Sequence, residues 1–376
     1  MIVPLDWNET TLGEFVSLQR GYDLPDHNRE NGEIPVVGGG GPNGYHSEAK
    51  AIGPGVVIGR SGAGFGTAFY VKENYWPHNT GLFVTDFKGN DPLFVFHFLN
   101  AFDFSSYNSG GAQPSLNRNY IYPISISYPF LSEQKAISDL LSTWDEAIEN
   151  TERLIRAKEQ RFNGLLCELM SEQRNRQRET RWKKVRIGSF LTESRIPDRV
   201  NDPKKRLSVR LHLKGVEVRE YRGTEADGAT AYFIRKAGQF IYGKQNVFRG
   251  ALGIVPLELD GYSSTQDIPT FDIADHVNKN WLQFLFSDPN FYKKLELYAS
   301  GSGSKRLHPK ELFRVTVTLP PLEAQHKIND TLSSAQHEID LLKQLAEKYK
   351  TQKRGLMQKM LTGEWRVKPD VVKSYE

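Results

Sequence analysis

Pro129-Phe-Leu-Ser-Glu-Gln-Lys-Ala-Ile137 and Pro320-Pro-Leu-Glu-Ala-Gln-His-Lys-Ile328 are two versions of one phrase, 191 residues apart. Carried without a gap over residues 129–170, that offset gives 11 identities in 42 positions. They include Gln134/Gln325, Ile137/Ile328, Ser142/Ser333, Leu154/Leu345 and Gly164-Leu165/Gly355-Leu356. Just upstream of each copy lies a similar lead-in, Ser109-Gly-Gly-Ala-Gln-Pro-Ser-Leu116 in one and Ser300-Gly-Ser-Gly-Ser-Lys-Arg-Leu307 in the other. Further out, Trp7 and Leu12-Gly-Glu-Phe15 are matched by Trp182 and Ile187-Gly-Ser-Phe190 at an offset of 175, so the second half carries 16 more residues in its body. A fixed-period repeat is the first thing to settle in a sequence, and here it predicts a variable body followed by a helix, twice.

The apolar spacing downstream of each phrase is strict. Ile137, Leu141, Trp144, Ile148, Thr151, Ile155, Lys158, Phe162, Leu165 and Leu169 alternate steps of four and three, as do Ile328, Leu332, Ala335, Ile339, Leu342, Ala346, Tyr349, Lys353, Leu356 and Met360. Sustained over several heptads, that is a coiled-coil seam rather than the broad stripe of a surface helix. Each seam admits one lysine, Lys158 or Lys353, which costs stability and helps to fix register. Pro129, Pro320-Pro321 and Ser132 are start signals, and Gly363 is a stop. Two interior glycines at equivalent places, Gly164 and Gly355, point to close backbone approach, between the helices or with a partner. At about 1.5 Å per residue, roughly 38 residues form a rod of about 57 Å, and antiparallel pairing would put the two bodies at opposite ends. The bodies themselves read as mixed α/β. Residues 56–58, 67–71, 231–234 and 239–242 are strand-like, Asp91 to Phe104 and Asn278 to Tyr298 helical, and Gly38–Gly41 and Gly301–Gly303 loops.

Length and composition narrow the function. A chain of 376 residues exceeds one ordinary core and implies two or three domains. With 38% hydrophobic and 25% charged residues it belongs to the globular class. No apolar run approaches the ~18 residues of a membrane span. The opening residues lack the basic and apolar regions of a signal peptide, and the lone Cys167 excludes an intrachain disulfide framework. The expectation is a cytoplasmic protein without a membrane partner. The net charge of +4 is unevenly spread. Residues 1–128 carry 7 basic and 12 acidic side chains, residues 187–319 carry 20 and 15, and residues 152–186 carry 11 and 5. The last run suits either a solvated helix face or a nucleic-acid backbone contact.

Catalytic patterns fail one by one. Gly59-Arg-Ser-Gly-Ala-Gly-Phe-Gly66 follows an apolar run, but Thr67-Ala-Phe-Tyr-Val71 after it is a strand pattern and no Gly-Lys-Ser/Thr is present, so a sheet turn is expected rather than a phosphate loop. Asn90-Asp-Pro-Leu-Phe94 lacks the second proline of an amino-methyltransferase loop. Pro197-Asp198 with Asp202-Pro-Lys204 leaves too short a gap for a nuclease carboxylate cluster. His337-Glu338 has no second histidine four positions on from the first, so no zinc-protease helix is formed. Neither a catalytic constellation nor a metal set emerges.

The paired Pro-Leu-x-x-Gln-x-x-Ile helix openings, Gly355-Leu-Met-Gln-Lys-Met-Leu-Thr-Gly363, Gly303-Ser-Lys-Arg-Leu-His-Pro309 before Leu319-Pro-Pro321, and Gly110-Gly-Ala-Gln-Pro-Ser-Leu116 together resemble the specificity subunits of type I restriction–modification systems over essentially the whole chain. Phe130 replaces the expected second proline of the first copy, and Ala324 stands where glutamate is usual. The resemblance implies an α/β protein in which two target recognition domains, residues 1–128 and 181–319, are separated by two long helices forming an antiparallel coiled coil with an internal pseudo-twofold repeat. The first spacer helix and basic linker would occupy 129–180, the second spacer helix 320–363 and a C-terminal tail 364–376. It also implies a non-catalytic reader of double-stranded DNA. Each recognition domain would read half of a split, asymmetric site, and the helices would set the spacing and dock two methyltransferase subunits. No cofactor is expected in this chain. S-adenosylmethionine, ATP and magnesium would belong to the partners, with ATP-driven restriction added by a restriction/translocase subunit. A specificity subunit of a related motor-less system, a coiled-coil scaffold with two protein-binding heads and an enzyme with an unrecognised site are the alternatives.

Base edges are read by Arg, Lys, Asn, Gln, Ser and Thr on loops, and an aromatic ring can stack on an extruded base. In the first body these are Arg60, Ser61, Tyr75, His78, Asn79, Asn117 and Arg118. In the second they are Lys244, Gln245, Asn246, Arg249, Ser264, Gln266, Lys305 and Arg306. Arg174, Arg176 and Arg178 in the basic run are the expected phosphate contacts.

Overall fold

The computed structural model describes residues 4–108, 115–175, 182–221, 223, 230–301 and 304–376. The chain forms two compact units, one of Met1–Arg153 with Lys343–Glu376 and the other of Leu154–Leu342. Each is taken in turn.

In the first unit the strands are β1 (Asn8–Thr11), β2 (Ser17–Arg20), β3 (Gly55–Gly59), β4 (Ala68–Val71), β5 (Gly81–Asp86) and β6 (Ser125–Tyr128), with helix α1 (Pro92–Ala101) before β6. Strands β1 and β6 form an antiparallel pair, and the main antiparallel sheet runs β2-β5-β3-β4. A smaller sheet joins Gly41–His46, Ile34–Gly38 and Trp76–Pro77. Every residue of β3 is buried, as a continuous apolar run on a central strand should be. Asp91 caps α1 by accepting from the Phe94 amide at 2.8 Å, and Pro92 opens the helix where no amide is needed. Phe94, Val95, Phe98 and Leu99 then pack with Val56, Ile58, Leu82 and Val84 of the sheet.

The second unit repeats the plan with β7 (Lys183–Arg186), β8 (Leu191–Ser194), β9 (Phe240–Tyr242), β10 (Leu252–Ile254), β11 (Thr270–Ile273), helix α2 (Lys279–Ser287) and β12 (Thr316–Leu319). Strands β7 and β12 pair, and the main sheet runs β8-β11-β9-β10, the order of the first unit. Ile196–Pro197, Tyr232–Ile234 and Ser263–Thr265 make the smaller sheet. Helix α2 is shorter than the expected span to Tyr298. Asp288 ends it and caps the turn opened by Pro289, a residue that cannot continue an α-helix without loss of a hydrogen bond.

The two offsets of the repeat reappear as hydrogen bonds. The Leu12 and Gly13 amides donate to Ile124 and Tyr122 carbonyls at 2.9 and 3.1 Å, and the Ile187 and Gly188 amides donate to Val315 and Phe313 at the same distances. A Cβ on Gly13 would lie 3.0 Å from the Tyr122 ring, and one on Gly188 would lie 2.7 Å from the Phe313 Cβ. Glycine is needed at both places for this approach.

The long helices are Leu131–Asn175 and Leu322–Leu361, and each contributes to both units. In the first unit Ile137 and Leu141 share a core with Met360 and Leu361. Trp144 meets Tyr349 edge to face, and Asp145 and Glu152 pair with Lys353 and Lys350, so the segments run antiparallel. In the second unit Leu166 and Met170 share a core with Ile328 and Leu332, and Lys158 pairs with Glu338 at 2.6 Å. Each seam lysine thus reaches a carboxylate on the facing helix. The glycine expectation is corrected for the helix pair: nothing lies within 4 Å of where a Cβ would sit on Gly164 or Gly355, because both glycines face outward from the seam. Gly363 ends the second helix with φ +73°, and a Cβ there would meet Pro4 at 2.5 Å.

Candidate nucleic-acid interface

The motif glutamines hold each body to its long helix. In the first unit Gln134 Nε2 donates to the Pro129 carbonyl at 2.9 Å and to Asn90 Oδ1 at 2.8 Å, while its Oε1 accepts from the Asp91 amide. In the second, Gln325 Nε2 donates to the Pro320 carbonyl at 2.9 Å and to the His276 carbonyl at 3.2 Å, and its Oε1 accepts from the Asn278 amide. Both are buried and fully satisfied, so the helix start and the cap of α1 or α2 are locked together. The Gln of the opening phrase is therefore structural.

The first body collects most of its candidate residues at one end of the main sheet. Arg60 follows β3, with its amide donating to the Thr80 carbonyl at 2.9 Å and its carbonyl accepting from Leu116 at 2.8 Å. Ser61 bridges to Ser115, and His78 Nδ1 lies 3.0 Å from the Thr80 hydroxyl. Burial, and then the nearby Arg29 charge, hold the His78 imidazole below its usual pKa. Asn79 donates to Asp23, Asn117 caps the turn Arg118–Ile121, and Arg118 Nη1 donates to the Leu18 carbonyl at 2.8 Å. Burial, followed by the charge of Arg20, also holds the Arg60 guanidinium below its ordinary value. Tyr75 departs from this group. It is 1% exposed in a small core with Val37, Val57, Val71 and Phe83, so its ring has no open face for a base.

The second body gathers its candidates around Asp267. Lys244 follows β9, its amide donating to the Asp267 carbonyl at 2.9 Å and its carbonyl accepting from Leu307 at 2.9 Å. Its Nζ and Arg306 Nη2 both stand 4.0 Å from the Asp267 carboxylate. With its amide oriented to accept, Gln245 lies 2.6 Å from Arg306 Nη2. Burial lowers the Lys244 pKa more than Asp267 and Glu193 raise it, and Arg195 and Arg306 add to the lowering. Asn246 shapes the turn after Lys244, Arg249 and Gln266 are exposed, and Lys305 pairs with Glu296 at 2.9 Å. Ser264 is a correction: it is 2% exposed, and its hydroxyl accepts from Arg235 Nε at 2.7 Å and donates to the Ile268 carbonyl.

Arg235 was not anticipated. It is 1% exposed, and its guanidinium also reaches Ser194 O, Thr270 Oγ1, Thr265 O and Ile268 O. Desolvation lowers its pKa to about 10, and its donors tie down the turn that carries Gln266 and Asp267. Arg20 and Arg195 were missed as well, although the 175-residue offset superposes them. Of the basic run, Arg176 and Arg178 lie outside the described residues, and so does the Arg174 side chain. Among the described residues no group of His, Cys, Asp and Glu could hold a metal ion, and no helix is long and apolar enough to cross a membrane.

Known proteins share this fold over most of the chain. Over 153 residues, 39% of this chain and 38% of the relative, the sequence is 28% identical to the EcoprrI type I restriction enzyme specificity subunit of Escherichia coli, so the match spans well under half of that relative. The fold is similar to a type I restriction–modification S subunit from M. genitalium, with a TM-score of 0.60, 13% identity and coverage of 95% of this chain and 96% of that one. It is also similar to a chain from a structural study of complex assembly and conformational transition in the type I system, with a TM-score of 0.53, 13% identity and coverage of 97% and 100%. The model of the type I restriction modification DNA specificity domain matches residues 4–159 and 235–350, which takes in most of the chain. The chain belongs to the type I restriction modification DNA specificity domain family.

Proposed function

We propose that this chain is the DNA-specificity subunit of a type I restriction–modification complex. Residues 1–128 and 181–319 act as target recognition domains, each reading one half of a bipartite, asymmetric site on double-stranded DNA. The spacer helices within 129–180 and 320–363 set the distance between the half-sites and dock two methyltransferase subunits. The chain supplies recognition and no catalytic group. Adenine methylation with S-adenosylmethionine belongs to the modification subunits, and ATP-driven cleavage to a restriction/translocase subunit, in the cytoplasm. The observation that carries this reading is the family match in both halves of a chain whose two bodies share one sheet order but differ in the side chains at its open end. Ser61, His78, Asn79, Asn117 and Arg118 are the reader candidates of the first body, and Gln245, Asn246, Arg249, Gln266, Lys305 and Arg306 those of the second.

The test is a map of methylated adenines in cells that hold the modification subunits, with and without this chain. A bipartite methylated site should appear only with the chain. Exchanging residues 1–128 for the first body of another specificity subunit should then change one half-site alone. Simultaneous change of both halves would remove the modular reading, and methylation independent of the chain would remove the whole of it.

A further inference from the structure

The strand registers superpose the two bodies residue by residue. In the first, Gln19 and Val57 both face Phe83 across the sheet; in the second, Ser194 and Ile241 both face Thr270. One residue beyond Gln19 and Ser194 stand Arg20 and Arg195. Three residues beyond Val57 and Ile241 stand Arg60 and Lys244, and the backbone confirms that match. Arg60 donates to Thr80 and accepts from Leu116, while Lys244 donates to Asp267 and accepts from Leu307. Each main sheet therefore ends in two cations, on strands separated by one central strand, with Cα atoms about 12 Å apart from two strand spacings and a stagger of two residues along the strand.

Most of the neighbouring residues differ between the copies, the glycine before Arg60 and Lys244 apart. Ser17-Leu-Gln-Arg20 aligns with Thr192-Glu-Ser-Arg195, where arginine is the only identity, and Ile58-Gly-Arg60 with Tyr242-Gly-Lys244. Readers of two unlike half-sites must differ between bodies, because base edges differ. A feature that both bodies keep serves what both half-sites share, which is the phosphate backbone. We infer that Arg20 with Arg60, and Arg195 with Lys244, are equivalent phosphate-binding pairs that set each recognition domain on duplex DNA without reading sequence. This inference rests on the DNA-specificity reading above and gives Arg60 and Lys244 a positioning role in place of base readout.

The two pairs are not equal. Among the described residues, no carboxylate forms an ion pair with Arg20 or Arg60, and Thr80 occupies the place that Asp267 takes in the second body. There Asp267 stands 4.0 Å from Lys244 and from Arg306, and Glu193 holds Arg195 at 3.0 Å. The second pair is thus partly neutralised from within and is answered by the third cation, Arg306. The first pair is a positive spot on an otherwise acidic body.

The experiment uses the full chain, alone and assembled with its modification subunits, and a duplex pool with a randomised centre. Affinity is measured against salt, and selected sequences are read out. Arg20→Gln with Arg60→Gln should lower the salt slope by about 1.8, at ~0.9 for each phosphate no longer neutralised, and leave the selected sequence unchanged. Arg195→Gln with Lys244→Gln should do the same. Arg60→Lys should keep the slope, and Asp267→Asn should steepen it, which keeps the test independent of any misfolding of the glutamine variants. An unchanged slope in both double variants, or an altered base preference in either half-site, overturns the inference and leaves the specificity reading standing. Absence of duplex binding by the unaltered chain, alone and assembled, overturns both.

Discussion

A single buried residue can give the fold a pH dependence that has nothing to do with its ligand. His97 sits on α1 at 1% exposure, and neither ring nitrogen has a partner among the described residues. Burial, then the charge of Lys353, lowers its pKa to about 4, with Asp145 pulling weakly the other way. The folded state therefore holds a neutral imidazole where the unfolded chain takes a proton at about 6.5. Below that value the unfolded state is favoured progressively, so stability is full above pH 6.5 and falls as the pH drops towards 4. A shift of this size amounts to roughly 3 kcal/mol. Denaturant unfolding at several pH values should show that loss in the unaltered chain, and His97→Phe should remove it. Equal pH dependence in both would mean that the histidine is charged in the fold or exposed to water. Arg235 and the glutamine pair make a related point. A buried polar side chain locks a turn or a helix start when every donor is used.

At the scale of elements, the heptad spacing was legible because a 4-3 alternation has few other physical solutions, and both seams are buried or half-buried along their length. The seam lysines were legible for the same reason, since a cation in such a seam requires a carboxylate across it. Helix α1 was marked by Asp91-Pro92, and the Asp288-Pro289 break in the second body could have been read by the same rule. What was not legible was direction. The sequence placed Tyr75 and Ser264 on loops, but a residue at a strand end can face inward as easily as outward, and both do. Arg235 escaped because nothing in a sequence says that a lone arginine will be met by six oxygens. A close approach of the two helices at the glycines was misread because an outward glycine and a close approach leave the same letter. That error yields a prediction. Gly164 and Gly355 lie inside helices with open space where a Cβ would be, so Gly164→Ala and Gly355→Ala should each stabilise the isolated chain by up to about 1 kcal/mol. A lowered unfolding midpoint would mean that backbone or side chain approaches there after all.

For the molecule as a whole, the open question is how a first body carrying 7 basic and 12 acidic side chains engages a polyanion. Long-range repulsion acts on the sum of these charges and is screened beyond roughly 8 Å at physiological salt, so a local cation pair still works once the duplex is close. Arg20 and Arg60 would then hold DNA that something else has brought in. Residues 187–319 of the second body, with 20 basic and 15 acidic side chains, and the 152–186 stretch, with 11 and 5, supply part of that attraction. Some of the latter is already engaged within the chain, since Arg153 pairs with Glu149 and Lys158 with Glu338. The isolated chain should therefore bind duplex DNA weakly and with little selectivity, and tight selective binding should appear when two modification subunits add basic surface around it. Replacing Arg174, Arg176 and Arg178 with glutamine should flatten the salt slope by roughly 0.9 for each phosphate that one of them neutralises, with the preferred sequence unchanged. Titrations at several salt concentrations, with and without the modification subunits, measure both effects. Selective, nanomolar binding by the chain alone at physiological salt would show that the acidic first body imposes no such dependence on partners.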